Sequence, residues 1–158
     1  MKVRDVMASN PFTLPPNASV AAAAVALSES RIGGCPVVDA SGRVVGMLTE
    51  ANILEALKTQ HKELKVLMPP EISFAISFVE VVRTKEAVSA FAEVGEWPIE
   101  RIMTREVVHL APEDDVEEAI QLMAKHRIHR VPVLETGRLV GILTRTDILK
   151  GFFRTVET

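Results

Sequence analysis

The chain is poor in the residues that stack on nucleic-acid bases or form disulfides. Tyr is absent, Trp97 is the one tryptophan and aromatic residues make up 4% of the sequence. The stacking surface of a single-strand nucleic-acid binder is therefore missing. The formal net charge of −3 argues against a general binder of nucleic acid or anionic membranes. Cys35 is the one cysteine and cannot form an internal disulfide, which is typical of a reducing cytoplasm.

The sequence also lacks long hydrophobic runs. No stretch of about 18 apolar residues is present that could form a transmembrane helix, and the segment Met1–Asp5 lacks the apolar core of a signal peptide. Hydrophobic residues nevertheless make up 47% of the 158 residues, which is enough for a shared core. We therefore expect a soluble, cytoplasmic protein with no membrane partner and no nucleic-acid partner.

What the chain does contain is an internal repeat. The segment Gly42–Thr49 returns as Gly137–Thr144, and an Arg-Ile-x-x-x-Pro-Val segment occurs at Arg31–Val37 and again at Arg127–Val133. A repeat fixes the architecture, and a half of about 55 residues would be marginal alone. We therefore expect two copies that fold against each other and form two related clefts. Repeat 1 is placed at 1–58, the inter-repeat segment at 59–97 and repeat 2 at 98–154.

Each repeat has the pattern of a β-α-β-β-α unit. A short helix or turn leads into a short extended piece, and capping residues then open helices over Val20–Ser30 and Val116–His126. Two apolar β-branched runs around a polar turn predict a hairpin, and a last helix begins after Thr49 or Thr144. The extended pieces are predicted at Pro11–Leu14 and Val107–Leu110. The fold class is mixed α+β, with helices that flank small sheets.

The inter-repeat segment matches neither copy. We predict that the helix after Thr49 continues to Val66, and that a second helix covers Glu80–Val94 with Val81, Val88 and Phe91 on one side. Because this segment is rich in aromatic residues, we expect it to pack against the body or against a second subunit.

Each hairpin ends in Gly, two apolar residues and Thr, with a polar residue three positions later: Thr49 with Asn52, and Thr144 with Asp147. A strand that ends at a helix N-terminus directs free N–H groups and the positive end of the helix dipole at one point. Phosphate or a polar ring edge suits that point. A hydroxyl and a carboxylate on adjacent turns can also bind the two hydroxyls of a ribose. The alternative is a plain capping box, but the occurrence in both repeats favours a binding site.

Both halves resemble cystathionine-β-synthase (CBS) domains, and the pair resembles a Bateman module. The resemblance is carried by the starts Val6-Met7 and Ile102-Met103, by the two Arg-Ile-x-x-x-Pro-Val segments, and by the ends Gly46–Asn52 and Gly141–Asp147. It implies two βαββα units in a pseudo-twofold module with two clefts. The ligands that it implies are AMP, ADP, ATP, S-adenosylmethionine or NAD, with no required cofactor. It also implies a homodimer, in the form of a flat disc of four repeats.

The resemblance assigns roles to individual residues, and each cleft combines residues from both repeats. The ribose-binding residues would be Thr49, Asn52, Thr144 and Asp147. The base pocket would be formed by Phe12, Ile32, Val108 and Ile128. The phosphate-binding candidates are His129, Arg130 and Arg145. Repeat 1 has Gly33-Gly34 where repeat 2 has His129-Arg130, so we expect the two clefts to differ.

No catalytic or metal-binding motif accompanies these residues. The Gly-x-Ser-x-Gly and Walker sequences are absent, Cys35 lies in an apolar context, and the pair His126 and His129 has no partner spaced to complete a metal site. We therefore expect a regulatory, ligand-sensing module that reports to another protein, and not an enzyme. The alternative is a homodimeric interaction or scaffold module with no physiological nucleotide ligand.

Overall fold

The structure, a computed structural model, describes residues 1–60 and 85–157. Repeat 1 contains α1 (Val3–Val6), β1 (Ala8–Ser9), α2 (Val20–Glu29), β2 (Gly34–Val38), β3 (Val44–Thr49) and α3 (Glu50–Gln60). Helix α4 (Lys85–Gly95) lies between the repeats. Repeat 2 contains a 3-10 turn (Ile99–Arg101), α5 (Val116–His126), β4 (Arg130–Glu135), β5 (Arg138–Thr144) and α6 (Arg145–Val156).

Helices α2 and α5 begin at the predicted residues, but only α2 is capped by a side chain. The Oγ of Ser19 accepts a hydrogen bond from the Ala22 N–H at 3.1 Å and thereby caps α2. Helix α5 begins after Asp115 as predicted, but this carboxylate pairs with the Lys2 ammonium at 2.9 Å and does not cap the helix. Helices α2 and α5 are followed by Arg31 (φ 53°) and Arg127 (φ 54°). This left-handed conformation is one that commonly ends a helix, and here it turns the chain toward β2 and β4.

Each repeat contributes its N-terminal segment to the other repeat. Strand β1 pairs antiparallel with β5, which gives a three-stranded sheet of order β1-β5-β4, while β2 and β3 form a two-stranded sheet. At the equivalent place in repeat 1, Thr104 and Met47 exchange two backbone hydrogen bonds of 2.9 Å. These crossed pairings tie the repeats together and bring residues of both repeats to the same clefts.

The predicted extended pieces, Pro11–Leu14 and Val107–Leu110, each pair with a strand at their last residue, and a second pairing lies earlier in the chain. The residues that pair with the opposite repeat lie earlier in the chain, at Ala8–Ser9 and Thr104, whereas Leu14 and Leu110 form single parallel bridges within their own repeats. The strand edge that these segments join belongs to the other repeat. Alternation along the sequence carries no information about that partner.

The glycine and methionine residues of the repeat meet across the interface between the two halves. A Cβ atom on Gly46 would lie 2.5 Å from the Sδ of Met103, and one on Gly141 would lie 2.6 Å from the Sδ of Met7. Each central strand therefore needs glycine where a methionine from the opposite repeat crosses it. These equivalent contacts confirm the predicted pseudo-twofold module of two repeats.

Each repeat has a hydrophobic core that the other repeat completes. The core of repeat 1 includes Ile99 and Met103 from the second half of the chain, and the core of repeat 2 includes Val3 from the first half. Ile99 and Val3 are fully buried. Because a small domain has little core to spare, neither half has a complete core without the other.

Helix α4 packs on repeat 1. Ala90 and Val94 are buried in the core of repeat 1, and Phe91 packs against it. Val88, predicted to lie on the same side as Phe91, is instead 60% exposed, because the inward face consists of residues four apart, Ala90 and Val94. The predicted continuation of α3 to Val66 and the start of the Glu80–Val94 helix lie outside the described residues.

Candidate ligand-binding clefts

The two helix N-termini that follow the hairpins have the same geometry. In repeat 2, the Thr144 N–H and hydroxyl donate to Asp147 Oδ2 at 2.9 and 2.7 Å, and the Asp147 N–H donates to Thr144 Oγ1 at 3.2 Å. In repeat 1, the same two groups of Thr49 donate to Asn52 Oδ1 at 2.9 and 3.1 Å, and the Asn52 N–H donates to Thr49 Oγ1 at 3.4 Å. The capping-box alternative is therefore present in both repeats.

The caps leave different groups available to a ligand. Within the described residues, Oδ1 of the half-buried Asp147 accepts no hydrogen bond, so one carboxylate oxygen remains beside the helix N-terminus. Asn52 is held more fully, because its Nδ2 donates to Thr104 Oγ1 of the opposite repeat at 3.2 Å. Capping and ligand binding are thus compatible at Asp147, while Asn52 keeps one spare N–H donor.

A cavity of about 550 Å³ opens beside the start of α3. We call it the Asn52 cleft. The predicted site residues that line it are Thr49, Asn52, Val108, Ile128, His129 and Arg130. They come from both repeats, because the segment after Thr104 and the connection from α5 to β4 form the walls opposite α3. Polar helix-start residues, apolar side chains and the basic side chains of Arg127, His129 and Arg130 therefore share one cavity.

Arg130 crosses from repeat 2 to repeat 1. Its Nη1 donates to the carbonyl oxygen of Gly34 at 3.1 Å, and a Cβ on Gly33 would lie 2.7 Å from its Nη2. Burial of the half-buried guanidinium lowers the pKa of Arg130, and the nearby charge of Glu50 opposes that shift. Gly33 therefore provides the space that the Arg130 side chain occupies, and Gly34 provides the carbonyl oxygen that it binds.

Two acidic side chains on the Asn52 cleft had no role in the sequence analysis. Glu50 and Glu106 line the cavity together with His129 and Arg130. Glu50 directly follows the capping residue Thr49, where an acidic residue suits the helix dipole. Glu50 also lies near the guanidinium of Arg130, and its charge raises the pKa of that group. The sequence pattern at the helix start does not predict this second role. The cleft therefore carries charges of both signs, and an anionic ligand would meet Glu50 and Glu106 as well as His129 and Arg130.

A second cavity, of about 750 Å³, lies beside Asp147. We call it the Asp147 cleft. It is bounded by Met7 and Ala8 of repeat 1 and by Lys150 and Arg154 of α6. Asp147 thus faces the N-terminal segment of the opposite repeat, as Asn52 faces Thr104, but the basic residues here come from one helix and not from the α2–β2 connection.

Four predicted site residues line neither cleft, and of these Thr144 is still tied to the Asp147 cleft by its hydrogen bond to Asp147. Phe12 is 39% exposed, and Ile32 packs against the core of repeat 1. Arg145 lines a separate groove between α5 and α6, beside Phe152. Only the backbone of Arg145 approaches the cleft wall, since its N–H donates to the carbonyl oxygen of His129 at 3.2 Å.

The rest of the described chain offers little further chemistry. Burial raises the pKa of the Cys35 thiol to about 11, so the thiol stays protonated at neutral pH. Within residues 1–60 and 85–157, no group of three or more His, Cys, Asp and Glu side chains could hold a metal ion. In the same ranges, no helix combines the length and apolar character that crossing a bilayer requires.

Comparison with known proteins places the chain in a family. The CBS domain model matches residues 3–59 and 99–154. CBS domain-containing protein YhcV of Bacillus subtilis is 30% identical over 146 residues, which cover 92% of this chain and 81% of that protein. The A-adding tRNA nucleotidyltransferase of Aquifex aeolicus is also 30% identical, over 157 residues, which cover 99% of this chain but 15% of that enzyme.

A solved structure gives the same result. The CBS domain pair of protein MJ0100, in complex with 5′-methylthioadenosine and S-adenosyl-L-methionine, is 26% identical with a TM-score of 0.67, and the match covers 98% of both chains. The family model matches both repeats. This agrees with the crossed strands, the two clefts and the duplicated helix caps. This chain belongs to the CBS-domain family.

Proposed function

We propose that this chain is a regulatory module that senses an adenosine-type ligand, namely AMP, ADP, ATP, S-adenosylmethionine or NAD. One observation carries the proposal: the candidate ribose residues Thr49 and Asn52 line the same cavity as the basic residues His129 and Arg130. A nucleotide needs polar groups at its ribose and cations at its phosphate, separated by a length that one cavity can span.

The Asn52 cleft supplies these parts from named residues. Thr49 and Asn52 stand at the N-terminus of α3, and Val108 and Ile128 offer apolar surface for a base. His129 and Arg130 supply donors for phosphate oxygens. We therefore expect a phosphate-bearing ligand to prefer the Asn52 cleft, because repeat 1 has glycine at the equivalent positions, Gly33 and Gly34.

The Asp147 cleft favours the adenosine part of a ligand. The free Oδ1 of Asp147 can accept from a ribose hydroxyl, and Thr144 shares the same helix start. The related MJ0100 pair holds 5′-methylthioadenosine and S-adenosyl-L-methionine, which are adenosine compounds without phosphate. That relative supports an adenosine compound as the ligand. Phosphate recognition is inferred only from His129 and Arg130 of this chain.

The test compares adenosine with AMP by isothermal titration calorimetry, on the wild type and on a variant with His129→Gly and Arg130→Gly. Loss of charge-assisted bonds of about 1.5–3 kcal/mol should weaken AMP binding at least tenfold, while adenosine binding changes little. Arg145→Gly is the matched control, because Arg145 is basic and adjacent in sequence to Thr144 but lies outside the cleft. Equal losses for adenosine and AMP, or an equal loss in Arg145→Gly, would refute the phosphate assignment.

The alternative function is an interaction or scaffold module with no physiological nucleotide. It is favoured by the hydrogen bonds of Asn52, since both its Oδ1 and its Nδ2 already bind protein groups. Thermal unfolding separates the two functions, because a ligand at 100 times its dissociation constant stabilises a protein by about 2.7 kcal/mol. No shift with any of the five ligands would favour the scaffold.

We also propose that the chain acts as a cytoplasmic homodimer, reports ligand binding to a regulated protein and catalyses no reaction itself. The exposed apolar side chains of α6 support the homodimer: Leu149, Phe152, Phe153 and Val156 are 57%, 39%, 69% and 82% exposed. Apolar side chains clustered on one surface commonly mark an interface. Light scattering at micromolar concentration would reveal a monomer if this proposal is wrong.

A further inference from the structure

The Asn52 cleft holds acidic groups beside its basic ones. The charged side chains that line it are the guanidinium groups of Arg127 and Arg130 and the carboxylates of Glu50 and Glu106, together with the imidazole of His129. With a neutral imidazole, the positive and negative charges of the cleft balance before any ligand enters. An anionic ligand therefore adds negative charge that the cleft does not offset in full.

The two carboxylates are not neutralised by direct partners. Within residues 1–60 and 85–157, neither Glu50 nor Glu106 takes part in an ion pair. The charge of Glu50 nevertheless reaches Arg130, because it opposes the effect of burial on the pKa of that guanidinium. Both acidic side chains therefore present negative charge to the cavity that a ligand would fill.

The equivalent positions of the other repeat are not acidic. Glu50 corresponds to Arg145, and Glu106 corresponds to Asn10. The favourable position of a carboxylate at a helix N-terminus explains Glu50, but it does not explain Glu106, which lies outside any helix. The carboxylates thus occur at the cleft that also carries the basic side chains, and at neither of the equivalent positions.

We propose that Glu50 and Glu106 limit the negative charge that the Asn52 cleft accepts, so that the cleft selects a nucleoside monophosphate over the di- and triphosphate. A single phosphate carries about two negative charges near neutral pH, and Arg130 and His129 provide donors for its oxygens. Each further phosphate adds negative charge beside the two carboxylates. The inference rests on the proposed function, because it names the adenine nucleotide that the same cleft prefers.

The cleft holds one guanidinium in a fixed place. Arg130 is half-buried, and its Nη1 donates to the carbonyl oxygen of Gly34 at 3.1 Å. Arg127 is exposed and lines the groove between α5 and α6 as well as this cleft. The additional phosphates of a triphosphate therefore meet the repulsion of two carboxylates without a second cation that the cleft holds in position.

Isothermal titration calorimetry with AMP, ADP and ATP tests the proposal, in buffer with EDTA so that no metal ion neutralises the phosphates. The wild type should bind AMP more tightly than ATP. Repulsion between two charges about 6 Å apart in water-like surroundings weakens binding about threefold. Glu50→Gln should therefore lower the ratio of the ATP and AMP dissociation constants at least about threefold, and Glu50→Gln with Glu106→Gln should lower it about tenfold.

The matched control is Glu55→Gln. Glu55 is an exposed residue of α3, as Glu50 is, but it borders a different cavity, beside Trp97 and Arg101. The control removes the same charge from the chain and should leave the ratio of the two dissociation constants unchanged. At about 1 M salt, where the Debye length is about 3 Å, most of the difference between the wild type and the double variant should disappear.

Several outcomes would refute this inference alone: tighter binding of ATP than of AMP by the wild type, an unchanged ratio in the double variant, an equal change in Glu55→Gln, or a difference that persists at high salt. If the wild type bound none of the three nucleotides, the phosphate assignment of the proposed function would fail together with this inference. Glutamine keeps the size of glutamate and both positions are exposed, so circular dichroism should show an unchanged fold.

Discussion

Repeat 1 and repeat 2 differ most where the chain passes from the first long helix into the hairpin. Repeat 2 places His129 and Arg130 there, whereas repeat 1 has Gly33 and Gly34. Gly33 and Gly34 have a structural role of their own, because the Arg130 side chain reaches across the pseudo-twofold axis and lies against them. Two copies of one motif have thus become complementary, and both basic side chains line the Asn52 cleft.

The helical faces show the same division. The alanine-rich α2 packs against α4, while within residues 1–60 and 85–157 only α5, α6 and the segment between α5 and β4 line the groove beside the more polar α5. A substitution in one copy therefore has a counterpart in the other, at an equivalent backbone position with different neighbours. Such matched pairs measure what each repeat contributes.

The largest expected effect comes from the two cores. Leu48 and Leu143 are equivalent, and both are fully buried. Leu48→Ala and Leu143→Ala should each lower the free energy of unfolding by about 2–5 kcal/mol, from lost burial and the cavity left behind. Because Ile99 and Val3 complete the core of the opposite repeat, each variant should unfold in one transition. Urea unfolding followed by circular dichroism would contradict this if the altered repeat unfolded first.

Sequence patterns predicted the elements whose causes are local. Helix α5 begins and ends at the predicted residues Val116 and His126, because the apolar spacing that predicts it lies within the helix itself. The patterns did not predict the pairing of Ala8–Ser9 with β5, since the partner strand lies more than 100 residues away in the sequence. Packing between distant segments decides such a register, and alternation does not encode it.

The candidate site also combines features that have local causes with features that depend on distant segments. The duplicated Thr49–Asn52 and Thr144–Asp147 pairs were found from spacing, because a helix N-terminus is a local structure. The path of Arg130 toward Gly34 could not be found in this way. It depends on the distance between two loops that only the assembled repeats bring together, as does the separation of Arg145 from the cleft.

A smaller effect should come from exchanging Asp147 and Asn52, the third residues of the two capping boxes. Asp147→Asn gives repeat 2 the residue of repeat 1, and Asn52→Asp makes the reverse change. Both residues retain the oxygen that accepts from the Thr backbone, so each exchange should alter the free energy of unfolding by less than about 1 kcal/mol. Asp147→Ala keeps the Thr144 hydroxyl cap but leaves the Thr144 N–H without its carboxylate acceptor, and should cost about 0.5–1.5 kcal/mol.

Thermal unfolding of the four proteins provides the measurement. If Asp147→Asn were as damaging as Asp147→Ala, the negative charge at the helix N-terminus would be the main contribution, and not the hydrogen bonds. Adenosine binding to the same variants tests the ligand role of Asp147. Asp147→Asn keeps the oxygen that accepts from Thr144 but loses the second, free oxygen, so weaker adenosine binding by this variant would be due to the free oxygen.

The smallest expected effect concerns Cys35, which is equivalent to Val131. Both are buried, at 1% and 0% exposure, and they pair with the equivalent residues Leu48 and Leu143. Cys35→Val should therefore change the free energy of unfolding by less than about 1.5 kcal/mol at neutral pH. Above neutral pH the two proteins should diverge, because burial raises the pKa of the Cys35 thiol to about 11 from an ordinary value of 9.0.

The direction of that divergence follows from proton binding. Below pH 9 the thiol is protonated in both states, and the wild type has its full stability. As the pH rises from about 9 to 11, the unfolded thiol ionises while the folded one stays neutral, so the wild type loses stability relative to Cys35→Val. Urea midpoints at pH 7 and pH 10 measure this, and the variant cancels the contributions of all other groups. Parallel curves would mean that Cys35 is hydrated in the folded state, unlike Val131.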